Sequence, residues 1–283
     1  MITNARASPA SDARDGVTGL HPVNKYAKTK KIRLASLNVG TLKGKMTELG
    51  AMLEQRKIDI MCVQETNFRG KKATQLGNGF KLYYMGQEPH INGVGIILAP
   101  PLIPTVIEVS RISDRIIAVK MVIEKQITNV ISVYAPQCNC PPSEKELFRD
   151  MLDQVVSVIP PNELVLIGGD FNSHIGTERN GFERIHGGHG YGALNEDGEH
   201  TLQFAQAYDL AIANSFFQKR ESHLITYQSG GHRFQIDFML VSRRHLRNVT
   251  DCKVIPGQTI AAQHQLLILT SISKKNRQKK GIT

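Results

Sequence analysis

The sequence predicts an α/β protein built from two packed β-sheets with helices on their outer sides, in one domain. Three observations predict it. Short β-rich runs recur along the chain, helical patterns are fewer, and the runs follow one another at hairpin-like spacings with no internal repeat. At 283 residues, the chain is long enough to bury a substantial core.

Residues 1–30 have no period and are rich in Ala, Ser, Asp and Gly, so a disordered tail is expected there. From Lys31 the pattern changes. Strands are expected over residues 32–37, 58–63, 94–98, 116–123, 130–134, 164–167, 236–241 and 266–272. Several alternate in polarity, as strands with one wet face do. Others, such as VLI at 165–167 and GIIL at 95–98, are apolar throughout and read as buried. A helix is expected over 45–56, where Met46, Leu49, Met52 and Leu53 share a face. A second follows Pro141-Pro142. Ser143 and Glu146 make an S-x-x-E capping box for it, Leu147, Met151, Leu152, Val155 and Ile159 form its stripe, and Pro160-Pro161 ends it. A third is expected over 200–208. The domain therefore spans 31–273, and 274–283 form a basic tail.

The net charge of +10 resides in those tails. The first 31 residues carry six Lys/Arg and two Asp, and the last ten carry five Lys/Arg and no acid. That leaves 24 basic and 23 acidic residues, a net of +1, for the body. A basic tail can hold a phosphate backbone, serve as a nuclear address, or simply be solvated. No apolar run approaches the ~20 residues of a membrane span. The first twenty residues hold no apolar signal region, and four scattered cysteines make no disulfide framework. The expectation is a monomer in the nucleus or cytoplasm, neither secreted nor bound to a membrane.

Residues suited to chemistry fall at strand ends, where α/β scaffolds present them. Asn38 closes the first strand, Glu65 follows IDIMCVQ, Asp170 and Asn172 follow ELVLIGG, Asp237 sits inside FQIDFMLV, and His264 precedes the last strand. Each alone has a duller explanation as a turn, cap or structural residue. The set is harder to dismiss. Asn, Glu and Asp oxygens with one His and no thiolate pattern suggest Mg²⁺, or Mn²⁺, rather than Zn²⁺. Splitting a phosphodiester needs charge neutralisation at the phosphoryl oxygens, an activated water and help for the leaving oxygen. Glu65 with Asn38 suits the metal, Asp170 the water's proton, and Asn172 its orientation. His264 suits the phosphorane, with Asp237 fixing its tautomer.

The series LNVGTL (Asn38), VQET (Glu65), SDRIIAV (Arg115), VYAPQ (Tyr134), GGDFN (Asp170, Asn172), FQIDFMLVS (Asp237) and QHQLLI (His264) resembles the endonuclease/exonuclease/phosphatase superfamily over about residues 31–273. Within it, FERIHGGHGYGALNEDGEHTLQFAQAYDLAIANSFF and HLITYQSGGHRFQIDFMLVS are most similar to craniofacial development protein 2-like proteins and, through them, to RTE-type non-LTR retrotransposon endonuclease domains. The resemblance implies a four-layer α/β sandwich with a Mg²⁺ site at one end and DNA nicking or apurinic-site chemistry. By motif it makes Asn38 and Glu65 metal-site residues, Asp170, Asn172 and the Asp237–His264 pair the catalytic group, and Tyr134 a phosphate contact or acid.

Two departures from the superfamily pattern stand out. Ser-Asp-His before the last strand is here Ala262-Gln263-His264, which puts a neutral oxygen donor, Gln263, where an acid often helps hold metal. The resembling subgroup tends to carry Gln-His here too, so weaker metal affinity is expected rather than inactivity. Leu37 stands where the pattern has Trp, a packing change.

Lys71, Lys72 and Arg243, with Arg244 and Arg247, are expected in loops or strand exits flanking the site, as contacts to a DNA backbone or as a solvated face. Arg115 joins them as a DNA contact. Tyr227 is placed beside an unstacked nucleotide or in packing. Cys138 and Cys140 lack a second Cys pair for zinc, and His186–His189 reads as a flexible surface loop. Two alternatives to a DNA endonuclease stay open: a phosphomonoesterase or lipid phosphodiesterase on the same scaffold, and a domesticated, non-catalytic binding or scaffold protein.

Overall fold

The computed structural model describes residues 30–88 and 92–273. Of the tails expected over 1–30 and 274–283, residues 1–29 and 274–283 lie outside the described residues, and Lys30 already belongs to the first strand. In chain order the elements are β1 (Lys30–Asn38), α1 (Met46–Gln55), β2 (Ile60–Gln64), β3 (Gly70–Gln75), β4 (Lys81–Gly86), β5 (Val94–Leu98), β6 (Val106–Ser113), β7 (Ile116–Ile123) and β8 (Gln126–Tyr134). Then come α2 (Pro142–Ser157), β9 (Leu164–Asp170), α3 (Glu196–Ala207), β10 (Leu210–Ile212), β11 (Tyr227–Ser229), β12 (His232–Phe234), β13 (Asp237–Ser242), β14 (Val249–Ile255) and β15 (Leu266–Ser273).

Two mixed sheets result. The first runs β14-β15-β1-β2-β5-β4-β3 and the second β10-β13-β9-β8-β7-β6, with β11 and β12 as a separate hairpin. Their apolar surfaces divide into three cores. Ile60, Cys62 and Ile96 of the first sheet meet Ile117, Val130, Leu166 and Met239 of the second. Outside the first sheet, Leu49, Met52 and Leu53 of α1 cover Leu37, Met61 and Ile97. Outside the second, Phe148, Leu152 and Val156 of α2 and Leu202 and Ala205 of α3 cover Ile131, Ile167 and Phe238. The layers are therefore helix, sheet, sheet, helices, and the α/β sandwich anticipated above is the fold. Every residue of β2 and β5 is buried because each strand lies between a helix layer and the opposite sheet.

Two parallel pairs place the strand ends that matter. β1 and β2 run parallel across α1, and β8 and β9 run parallel across α2. Their last paired residues are Asn38 with Gln64 and Tyr134 with Asp170. β13 begins at the same end, where Asp237 pairs antiparallel with Asp170. The close approach of β8 and β9 explains one glycine of GGDFN. A Cβ on Gly169 would lie 2.1 Å from the Val133 carbonyl oxygen, so no side chain fits there.

Several local expectations are corrected. Ser143 does not cap α2. Pro142 is its first residue, with Pro141 extended before it at ψ 144° and no side-chain cap. A residue before proline is pushed to that conformation, and proline suits the first helical position, so the tandem prolines start the helix by themselves. Most of the expected stripe of α2 faces the core: Leu152 is buried and Met151, Val155 and Ile159 pack beside it, but Leu147 is 59% exposed and Phe148 and Val156 are buried instead. Helix α3 starts four residues earlier than expected, at Glu196, because Asn195 caps it by accepting the Gly198 N–H. Strands β3, β4, β6, β10–β12 and β14 lack a clear sequence signal, and Asp237 opens β13 rather than lying inside it. His186 is fully buried, not part of an exposed loop.

Candidate active site

Asn38, Glu65, Tyr134, Asp170, Asn172, Asp237 and His264 converge at the shared end of the two sheets. Asn38 Nδ2 donates to Glu65 Oε1 at 2.9 Å and to Asp170 Oδ2 at 3.0 Å, and its Oδ1 accepts the Gly40 N–H at 3.0 Å. That last bond fixes the amide, since a flipped Asn38 would set two donors against each other. Tyr134 Oη donates to the same Glu65 oxygen at 2.7 Å. Asp170 Oδ2 lies 3.7 Å from His264 Nε2, and His264 Nδ1 lies 3.0 Å from Asp237 Oδ2. Asn172 turns at φ 47°, which lets its N–H bond Asp170 Oδ1 and its side-chain amide bond the Ala135 carbonyl. Glu65 is likewise left-handed, at φ 53°, a conformation that costs a non-glycine residue about 1–2 kcal/mol and that the surrounding bonds hold in place.

Burial sharpens the electrostatics. Asn38, Asp170 and Asp237 are each 1% exposed. Burial first, and then the charge of Asp237, push the Asp170 carboxyl well above the usual carboxylate range, against His264, Asn38 and the Asn172 N–H. Burial by itself would lower His264, but the charge and hydrogen bond of Asp237, followed by Asp170 and Glu65, outweigh it and raise the imidazole. Tyr134 is raised by burial and by Glu65, so its phenol stays protonated and donates.

The donor set fits a hard divalent cation. Among the described residues, Asp170, Asp237 and His264 each offer an atom within 4.8 Å of the others, and Asp237 Oδ1 is buried with no hydrogen-bond partner. Glu65 joins this group through the Asn38 bridge. Carboxylate oxygens with one imidazole suit Mg²⁺ or Mn²⁺.

Other expected site residues fall elsewhere. Gln263 is exposed, and its side-chain amide donates to Ser229 Oγ at 2.9 Å while its backbone carbonyl accepts the Gln228 N–H at 2.9 Å. It is tied to the β11–β12 hairpin rather than to the buried carboxylates. Arg115 was expected on a DNA backbone, but its side chain is only 12% exposed and pairs with Glu144 at 2.6 Å. Arg243 does not flank the site. It follows β13 at the opposite end from Asp237, where its Nε donates to the Arg184 carbonyl and its guanidinium lies over Phe216. Arg244 there donates to the Pro161 and Glu163 carbonyls. Lys71 and Lys72 are exposed, but on the edge strand β3 rather than in a loop.

Tyr227 does reach the site, its ring centroid 4.8 Å from that of His264, edge on. It begins an aromatic series that continues through Phe234 to His174. Thr226 was not anticipated in its real part. Its buried Oγ1 accepts the N–H groups of both Ile236 and Asp237, which sets the start of β13. Its only trace in the sequence is a hydroxyl after the apolar step Leu224-Ile225. Gln64 leaves no such trace in the sequence. It bridges the sheets beneath the site by donating to Ser132 Oγ at 3.1 Å.

Residues 35–259 match the endonuclease/exonuclease/phosphatase family. The chain belongs to that family. Craniofacial development protein 2 of Bos taurus is 29% identical over 228 residues, which cover 80% of this chain and 38% of that protein. The chain thus spans well under half the length of that relative. Among solved structures of the fold, an AP endonuclease from Archaeoglobus fulgidus has a TM-score of 0.63 at 16% identity, over 84% of this chain and 98% of that one. The endonuclease domain of TRAS1, a telomere-specific non-LTR retrotransposon, has a TM-score of 0.61 at 16% identity, over 86% and 98%. The 3′ phosphatase NExo from Neisseria, bound to a product DNA hairpin, has a TM-score of 0.65 at 16% identity, over 84% and 98%. Family membership and the buried acidic site agree with an α/β sandwich suited to phosphoester hydrolysis. Among the described residues no helix is long and apolar enough to cross a membrane.

Proposed function

We propose that this protein is a Mg²⁺-dependent DNA endonuclease of retrotransposon type that hydrolyses the phosphodiester backbone. One observation carries the reading: the continuous run of contacts from Tyr134 through Glu65, Asn38, Asp170 and His264 to Asp237. Glu65, kept in place by Asn38 and Tyr134, would hold the cation with Asp170 beside it. The cation, when bound, neutralises charge on the phosphoryl oxygens.

The rest is work for side chains. Asp170, held by the Asn38 amide and the Asn172 N–H and facing His264, is placed to take a proton from the attacking water. Asn172 sets Asp170 through its backbone N–H. Asp237 accepts from His264 Nδ1 and leaves Nε2 facing the reaction space, where a protonated imidazole stabilises negative charge on phosphorus-bound oxygen. Tyr134 donates to Glu65 and closes the wall of the site. Lys71 and Lys72 on β3 suit the flanking DNA backbone, as an exposed and salt-sensitive contact. The names of the structural relatives, an AP endonuclease, a retrotransposon endonuclease domain and a phosphatase bound to DNA, support nucleic acid over a soluble phosphoester.

The test offers three substrates in parallel, with Mg²⁺ and with chelator: supercoiled plasmid, a duplex bearing one abasic site, and a soluble phosphomonoester. Metal-dependent cutting of either DNA supports the proposal. Turnover of the phosphomonoester alone would reassign the site to a phosphatase. Binding of DNA without cutting at high Mg²⁺ would make the protein a binding module.

A further inference from the structure

We infer that Arg115 is a positioning residue for Tyr134, tying the phenol that bonds Glu65 to the first turn of α2, and that it does not grip a phosphate. This rests on the proposed function above, but its geometry stands apart from it. Arg115 occupies the turn between β6 and β7 and encloses Tyr134 from several sides. Its carbonyl accepts the Tyr134 N–H at 2.9 Å, and its Nη1 donates to the Tyr134 carbonyl at 3.3 Å. The guanidinium lies over the Tyr134 ring, 5.1 Å from the centroid. Its Nη2 reaches Glu144, in the first turn of α2, at 2.6 Å.

Each contact has a separate effect. The two backbone bonds fix where Tyr134 leaves β8. The stacked guanidinium fixes the ring plane, and so the direction in which the phenol points at Glu65. Glu144 holds the guanidinium from behind, and a carboxylate is well placed in the first turn of a helix. A planar fork that stacks and bonds at both ends is a property of arginine that lysine lacks. Both terminal nitrogens are engaged within the fold, the charge is matched by Glu144, and the Arg115 side chain is 12% exposed against 40% for Glu144. That leaves little of Arg115 for a ligand.

Positioning and phosphate binding predict opposite results for the same variants. If Arg115 positions Tyr134, Arg115→Lys lowers kcat about tenfold or more, because charge alone does not restore a stacked fork. Glu144→Gln lowers kcat in the same direction. The affinity for uncut duplex in chelator, and its salt slope, stay at wild-type values in both. If Arg115 grips a phosphate, Arg115→Lys keeps most activity, Arg115→Gln reduces the salt slope by about one, and Glu144→Gln tightens binding by freeing the guanidinium. That second pattern would overturn the inference.

A readout independent of cutting separates this inference from the function it rests on. With ¹³Cζ-tyrosine in a protein of seven tyrosines, the Tyr134 signal is assigned by its loss in Tyr134→Phe. The inference predicts that this signal moves in Arg115→Lys and in Glu144→Gln. A signal that stays fixed would overturn the positioning role even in an active enzyme. A signal that moves in a protein cutting no DNA would support the positioning and remove the nuclease reading.

Discussion

Asp170 and Asp237 face one another as buried carboxylates, and the structure holds Asp170 where its charge is least welcome. The folded pKa of Asp170 is raised above its unfolded value, so the folded protein favours the neutral acid. Its ionisation therefore costs stability as pH climbs from the usual carboxylate range toward the folded pKa, and the cost remains at higher pH. Asp170→Asn removes that cost and keeps an oxygen for the Asn172 N–H, but its amide nitrogen then faces the Asn38 Nδ2 donor, so one bond is lost at every pH. In chelator, the melting temperature of the variant relative to wild type is therefore predicted to rise from pH 4 to pH 8, on the scale of about 2–4 °C per kcal/mol for a domain this large, while activity is lost. A difference that stays flat across that range would show that Asp170 titrates as it does in the unfolded chain. The residues of this site were the most legible part of the sequence, because Asn38, Glu65, Asp170 and His264 each stand at a strand end marked by an apolar run. Thr226 and Gln64 were not, because a buried hydroxyl or amide becomes informative only once its partner across the fold is known. Gln263 and Arg115 misled for the converse reason, since motif position says nothing about which way a side chain turns.

At the level of elements, α2 and α3 show what local patterns leave undetermined. Of the expected stripe of α2, Leu147 alone turns to solvent, while its neighbour Phe148, about 100° round the helix, is buried. The sheet, not the helix, decides between them. Phe148→Ala is therefore predicted to cost about 3–5 kcal/mol and Leu147→Ala well under 1 kcal/mol, by denaturant unfolding. Equal costs would mean that the helix sits as its sequence alone suggests. For α3, Asn195 Oδ1 accepts the His174 N–H as well as the Gly198 N–H, at 3.0 and 2.8 Å, so the cap also ties the chain just beyond Asn172. Asn195→Ala is predicted to cost about 1–2 kcal/mol. Gly198→Ala should be worse, because its Cβ would meet the His174 carbonyl oxygen at 1.8 Å. Soluble yield and melting temperature check both. The early start of α3 was hidden because Asn195 is followed by acids and glycine, residues common in turns as well as in first turns of helices. Edge strands such as β3, with the sequence GKKATQ, bury too little to leave an apolar pattern.

For the whole molecule, the two packed sheets with helices outside them were legible from the central strands, whereas the order in which strands pair was not, since register depends on long-range contacts. The loop between β9 and α3 gives the fold a pH dependence of its own. His186 is buried, and burial pulls its imidazole down to about 4, helped by Arg179 and His189 and opposed by the Gly176 carbonyl. Its folded pKa lies below the unfolded value of about 6.5, so the unfolded chain binds the extra proton between those limits. The contribution is therefore fully present above about pH 6.5 and is lost as pH falls toward 4. His186→Gln is predicted to flatten the stability profile in that window, measured as urea midpoints from pH 7 to 4. A variant that tracks wild type throughout would show that His186 titrates normally.

The central claim is that the buried run of residues at the sheet ends is the catalytic centre of a metal-dependent nuclease. The most direct measurement is nicking of supercoiled plasmid by wild type and by Asp170→Ala, both shown to be folded, with Mg²⁺, Mn²⁺ and chelator. Nicking by wild type with metal, none with chelator and none by Asp170→Ala is the predicted result. Equal nicking by Asp170→Ala, or no nicking by folded wild type with either metal, would contradict it.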